Sequence, residues 1–327
     1  MTTDTQIKIH GHLWLQLKHQ WRHGDRLYQI LTILASLLVL LLVAAVGYEL
    51  WRNSALSRRA FGWAFLITSR WDPALDRIFG ALPFIQGTLI TSLVALLIAV
   101  PISLGVGIFL SEIAPVKMRQ PLSFLIELLA AVPSVVYGMW GLFVFIPVIV
   151  RPFSKILEQT LGFIPIFEGP VFGPSRLAAS LVLSIMIGPT IASISRDVFQ
   201  AIPVAQREAA LALGSTRWEM IWRALIPYGL SGFLGAIILG LGRALGETIA
   251  VTMVVGNNLD LSPSLLHPGY TMASIIANEF TEATYDLYLH ALIEIGLILF
   301  IMTLVLNFFA RLLIWRVARR FPQDVRA

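Results

Sequence analysis

The sequence predicts an all-α, polytopic membrane protein with six transmembrane helices, and three observations predict it. The chain is 57% hydrophobic and 13% charged, where a soluble domain carries about 25% charged residues. It contains six long runs almost free of charge, and its 24 Lys and Arg residues fall mostly beside them, as membrane flanks do. Mean hydropathy is +0.78. A chain of 327 residues cannot hide so much apolar surface in one globular core, so lipid must solvate much of it.

Taken in order, residues 1–26 are polar, carry Lys8, Lys18, Arg22 and Arg26, and are read as a cytoplasmic N-terminal segment. Residues 27–50 form the first transmembrane helix. Its uncharged stretch, 27–48, is too long for the core of a signal peptide and stays on as an anchor. An external loop, 51–84, follows. Residues 85–312 are expected to hold five more spans, drawn from runs at 81–111, 128–150, 177–195, 224–242 and 287–310. The fifth-span run continues past two charges to about residue 255, and the last contains Glu294. Each run reaches or exceeds the roughly 17–25 residues a spanning helix needs. Pro101, Pro133, Pro147 and Pro189 fall inside them, which membrane helices tolerate when neighbours satisfy the freed carbonyls. Residues 313–327 are read as a cytoplasmic tail.

Six spans place both ends on one side. With the termini inside, the inner segments carry fifteen Lys and Arg and the outer loops eight, with Arg243 within a span. That excess predicts cytoplasmic termini. Loop 51–84 fits poorly, because Arg52, Arg58, Arg59, Arg70 and Arg77 all lie in it. The outer loop 257–286 has no Lys or Arg and anchors the assignment better.

Residues 203–227, between spans four and five, read as helix, turn, helix. Pro203 suits a first helical turn, and Glu208 to Leu213 are good helix formers. Gly214 supplies the left-handed conformation that ends a helix. Thr216 and Glu219 form a capping-box pattern that restarts one, and Pro227 is expected to stop it short of span five. A short amphipathic helix placed there can dock into a groove on a partner.

The segment resembles the EAA loop of ABC-importer permeases: Glu208, Ala209 and Ala210, then Gly214, then Ala224, Leu225, Ile226 and Pro227. It departs by carrying Ala and Ile where that family usually has Ile and Leu, both apolar replacements. The resemblance implies the type I ABC-importer permease fold, with 196–227 as the coupling loop that sits in a cleft of an ATPase subunit. An ordinary cytoplasmic hairpin is the plainer alternative. Residues 127–147, with Pro133-Ser-Val-Val-Tyr-Gly138, residues 240–248 and residues 269–280 resemble the PstC type of phosphate-specific permease. This likeness runs from about residue 71 to about 306. The PstA sister type shares a related Arg-Ala-x-Gly-Glu-Thr string, but the stretches beginning at Pro133 and Gly269 favour PstC.

Arg243 and Glu247 lie at i, i+4 within a span, so one helix face and a mutual pair are expected. Intramembrane charges are costly and usually face a bundle interior or a watery pathway. Gly242 and Gly246 make a Gly-x-x-x-Gly pattern that permits close helix packing. The planar fork of Arg243 suits phosphate oxygens, and a structural ion pair bridging two subunits explains the same residues. Glu127 and Glu294 are each either a second partner for a buried cation or a snorkelling end residue.

The sequence has no cysteine, no His-Glu-x-x-His and no Gly-x-x-x-x-Gly-Lys-Ser/Thr. No metal, cofactor or catalytic residue is expected, nor nucleic acid, and ATP must be bound by another chain. The resemblance implies as partners a PstA-like permease, two PstB-like ATPase subunits and a PstS-like periplasmic phosphate-binding protein, within the inner membrane. A permease for sulfate or molybdate is the rival within the class. A secondary transporter would show inverted repeats and broken helices, with no need of a coupling loop.

Overall fold

A computed structural model of the chain describes residues 4–320, with side chains from 26 to 316. Six of its helices are long and apolar enough to cross a membrane, and no β-strand longer than an isolated bridge occurs among the described residues. Residues up to Arg52 and residues from Asn53 onward form two separate compact units. The first is a single helix, α1 (Asp4–Asn53), already under way well before the predicted first span. Its apolar residues, such as Leu31, Leu38 and Leu41, are more than half exposed, a surface suited only to lipid or a partner helix.

The second unit holds the other five spans. The predicted loop 51–84 contains short helices at Ala55–Phe61 and Ala64–Ile67. Helix α2 (Leu82–Ile113) follows, then α3 (Val116–Ala131) and α4 (Ser134–Leu161). Helices α5 (Arg176–Ala201), α6 (Val204–Ala212) and α7 (Arg217–Gly246) come next. The chain ends in α8 (Ile249–Val254), α9 (Met272–Glu279) and α10 (Asp286–Arg320). The expected tail 313–327 is therefore helical as far as Arg320, and its last residues lie outside those described.

Helix α5 is the centre of the bundle: 61% of its most apolar stretch is buried, against 6% for α10. Small residues let α2 approach it. A Cβ on Gly107 would lie 3.0 Å from Ser195 Cβ, and Ser103 Oγ donates to Gly188 O at 2.9 Å. Around this pair sits an aliphatic core including Val182, Met186, Ile187, Ile191, Ala236 and Val254. At the end of the bundle away from α6 an aromatic cluster gathers Trp71, Phe79, Phe84, Tyr270 and Tyr288. Glu279 binds it together, accepting from Trp71 Nε1 at 2.7 Å and Tyr288 Oη at 2.6 Å.

Two sequence expectations give way. The run 128–150 is not one helix, because Val132 turns extended before Pro133 and α3 stops there, as residues before proline tend to do. Nor does Pro227 end a helix: α7 runs straight through it. The turn before it, Ile221–Leu225, widens into a π-helix. That widening accommodates both the missing N–H and the ring that would press on the carbonyl four residues back.

Candidate functional site

Within the 196–227 loop the helix, the glycine turn and the restart form where the sequence predicts them, although the second helix continues through Pro227. Pro203 is the N-cap residue of α6. Gly214 has φ +84°, a conformation glycine adopts at least cost, and its N–H reaches Leu211 O at 2.9 Å. Thr216 and Glu219 close the capping box, with Glu219 N–H to Thr216 Oγ1 at 3.3 Å and Thr216 N–H to Glu219 Oε2 at 3.0 Å. Ala210 is half-buried against Ile108, Phe199, Ile202, Ile221 and Leu225, where a small side chain lets α6 lie close to the bundle. Glu208, Ala209 and Gly214 are exposed, as are Val204 and Leu213. The Glu208 side chain makes no hydrogen bond or ion pair among the described residues. The loop therefore offers apolar surface and an uncommitted carboxylate outward.

Arg243 and Glu247 do not form the pair their spacing predicts. Helix α7 ends at Gly246, Glu247 is extended with ψ 123°, and the chain restarts as α8. Glu247 Oε1 instead accepts the Ala250 N–H at 3.2 Å, one of the amides that a helix start leaves without a partner. Arg243 Nη1 donates to Thr190 Oγ1 of α5 at 3.0 Å. The break follows directly on the stretch where α7 packs against α5 and α2. A Cβ on Gly240 would meet Ile191 at 2.6 Å and Leu96 at 3.8 Å, residues well inside α5 and α2. Beyond the break, α8 reaches the start of α5, where Ser175 N–H donates to Val254 O at 3.1 Å. Gly138 of α4 packs on α8, with Ala250 Cα 3.0 Å from its Cβ position. The two interrupted spans thus meet, and interrupted backbone within a membrane is tolerated where it lines a cavity or is buried in protein.

Arg243 opens on a cleft of about 670 Å³ between α7 and α10, shared with Gly242, Leu304, Asn307, Phe308 and Arg311. The cleft has two arginines and no carboxylate in its wall, so it favours an anion. Positions 235, 242 and 246 of α7 have nothing within 4 Å of a Cβ there, whereas Gly229, Gly232 and Gly240 press on Val198, Ile191 and Phe233. One glycine face of α7 is used inside this chain and another is bare.

Glu127 lies elsewhere. It is 55% exposed and paired with Arg196 at 3.1 Å, in a polar cavity of about 450 Å³ with Arg119, Gln120, Ser123 and Gln200. Glu294 is buried in α10. Two arginines escaped the sequence reading. Arg176, 1% exposed, donates to the carbonyls of Ser262, Ser264 and Asp260 and so pins the 257–269 segment to α5. Arg207 joins α6 to two spans. Sequence spacing reveals neither, since the carbonyls that Arg176 holds lie 84 to 88 residues away and the Glu112 carboxylate that Arg207 holds lies 95 away.

Residues 103–322 match the family described as binding-protein-dependent transport system inner membrane component. The chain belongs to that family. Among its relatives, the phosphate transport system permease protein PstC of Pasteurella multocida (strain Pm70) is 47% identical over 300 residues, covering 90% of this chain and 93% of that one. The PstC proteins of Haemophilus influenzae Rd and Xylella fastidiosa 9a5c are 45% and 44% identical, over 90% and 89% of this chain and 94% and 90% of theirs. Among solved structures, the permease superimposes on the MetNI methionine ABC transporter in an inward-facing conformation. The TM-score is 0.53 at 18% identity, over 72% of this chain and 94% of that one. It also superimposes on a bacterial alginate ABC transporter in complex with a pentasaccharide-bound periplasmic protein, with a TM-score of 0.60 at 16% identity over 93% and 98%. The permease thus has the type I ABC-importer fold and is a multi-pass inner-membrane protein.

Proposed function

We propose that this permease carries inorganic phosphate into the cell as one half of a two-permease pathway. A PstA-like chain supplies the other half, two PstB-like ATPase subunits drive it, and a PstS-like periplasmic protein delivers the anion. The observation that carries the reading is the likeness, across nine-tenths of the chain, to proteins named as phosphate permeases. The exposed helix α6, with Glu208, Ala209 and Ala210 before the turn at Gly214, supports docking of an ATPase. The bare glycine face of α7 supports packing of a second permease. Arg243 then meets the anion, and Glu247 serves it indirectly by holding the start of α8. Glu127 and Arg196 line a mouth near the α6 end of the pathway.

The broken span favours one other reading, secondary transport, in which discontinuous helices hold the substrate at mid-membrane. Reconstitution of the assembled complex in liposomes separates them. Radiolabelled phosphate uptake should require ATP and the binding protein, and excess sulfate or molybdate should not suppress it. Uptake driven by an ion gradient without ATP would overturn the importer reading, and suppression by sulfate would reassign the substrate.

A further inference from the structure

Beside the packing of Ala210, one side chain ties α6 to the membrane bundle through hydrogen bonds. Arg207 Nε lies 3.3 and 3.2 Å from the two carboxylate oxygens of Glu112, and Nη2 lies 2.7 Å from Oε1. Nη1 donates to Ile202 O and Nη2 to Phe199 O, both at 2.6 Å. Four of the five guanidinium N–H donors are thereby used. Glu112 stands at the end of α2, and Phe199 and Ile202 carry carbonyls at the end of α5, which a helix leaves without intrahelical partners. The pair is largely shielded, with side chains 19% and 9% exposed.

The backbone is shaped to make this contact. Glu112 lies in a π-turn, Phe109–Ile113, closed by Ala114 N–H to Phe109 O at 2.7 Å. A π-turn accommodates one residue more than an α-turn and so rotates everything after it, which re-aims a side chain. Arg207 and Ala210 face the bundle, while Glu208, between them, faces out. The helix thus has one edge for a partner and one for the spans.

We propose that Arg207 is a positioning residue that clasps α6 to α2 and α5, so that motion imposed on α6 moves both spans as one rigid body. The inference rests on the reading of α6 as the ATPase-docking helix. A lysine cannot replace the clasp, because a point charge cannot hold a carboxylate and two carbonyls in fixed directions at once. A clasp of this kind acts on transmission, not on docking.

The test uses the assembled transporter with its ATPase. Glu112→Gln and Arg207→Lys should keep the ATPase bound and hydrolysing at a near-normal rate, while phosphate moved per ATP falls about tenfold, the scale of one charge-assisted hydrogen bond. The cysteine-free chain permits a second measurement that does not depend on those variants folding well. Glu112→Cys with Arg207→Cys, bridged by a bifunctional thiol reagent, should regain much of the lost uptake per ATP. Normal uptake per ATP in both single variants would overturn the proposal. So would a bridge that arrests transport, because the clasp would then have to open, or a loss of uptake that only tracks loss of assembled complex. Glu208→Arg retaining the ATPase would sink the docking reading, and this proposal with it; its loss there with unchanged clasp variants would sink the clasp alone.

Discussion

Arg176, at the start of α5, and Arg243, within α7, are both arginines beside apolar runs, and their surroundings give them different work. Arg176 is enclosed, and its two terminal nitrogens donate to three carbonyls of one segment. Arg243 is half-buried, with a single hydrogen bond to Thr190, and faces an open cleft. Replacing Arg176 by Met should strand those carbonyls and destabilise the detergent-purified protein by about 3 kcal/mol. A lowered thermal midpoint, with faster proteolysis within 257–269, is the expected result, and an unchanged midpoint would mean the carbonyls find other donors. Arg243→Lys keeps the charge and removes the planar fork. Assembly and ATP hydrolysis should survive it, while phosphate uptake falls about tenfold or more. Wild-type uptake would show that a positive charge alone suffices there.

At the scale of elements, the 196–227 hairpin stands on local chemistry, and it was legible for that reason. Gly214 and the Thr216–Glu219 box act within four residues of themselves, so the sequence alone displays them. Gly214→Pro cannot adopt φ +84°, and Glu208→Arg reverses the outward charge of α6. Both variants should reach the membrane yet lose the ATPase on co-purification; full recovery of the ATPase with normal uptake would remove α6 from the docking site. What the sequence hid depends on context. Pro227 invites the helix-stopping rule, but a π-turn upstream relieves it inside a long span. Arg243 and Glu247 have the spacing of a pair, but the amide of Ala250 offers Glu247 a nearer partner once the helix breaks. The Arg207–Glu112 contact joins residues 95 apart, beyond the reach of any periodicity.

For the molecule as a whole, six spans follow from hydropathy, and their direction follows from charge. The excess of Lys and Arg at the termini and in the α5–α7 loop argues that those segments face the cytoplasm. The arginines of 51–84 oppose it, but two of them are committed within their own segment or its neighbours. Arg70 pairs with Asp72 and Asp76, and Arg77 lies 4.9 Å from the centre of the Tyr285 ring. The amide of Leu75, with those of Ala74 and Asp76 and the charge of Arg70, holds the Asp72 carboxyl below its ordinary range. Asp72 therefore stays ionised beside Arg70. The segment 257–286, with no Lys or Arg, is free to lie outside. Accessibility decides between the two orientations. Leu213 is 89% exposed and Leu261 36% exposed, so single substitutions Leu213→Cys and Leu261→Cys in this cysteine-free chain present reachable thiols. An impermeant thiol reagent applied to spheroplasts, whose inner membrane is intact, should label Leu261→Cys and should reach Leu213→Cys only after that membrane is permeabilised. Labelling of Leu213→Cys in intact spheroplasts would invert the topology and carry α6 to the wrong side of the membrane for any ATPase.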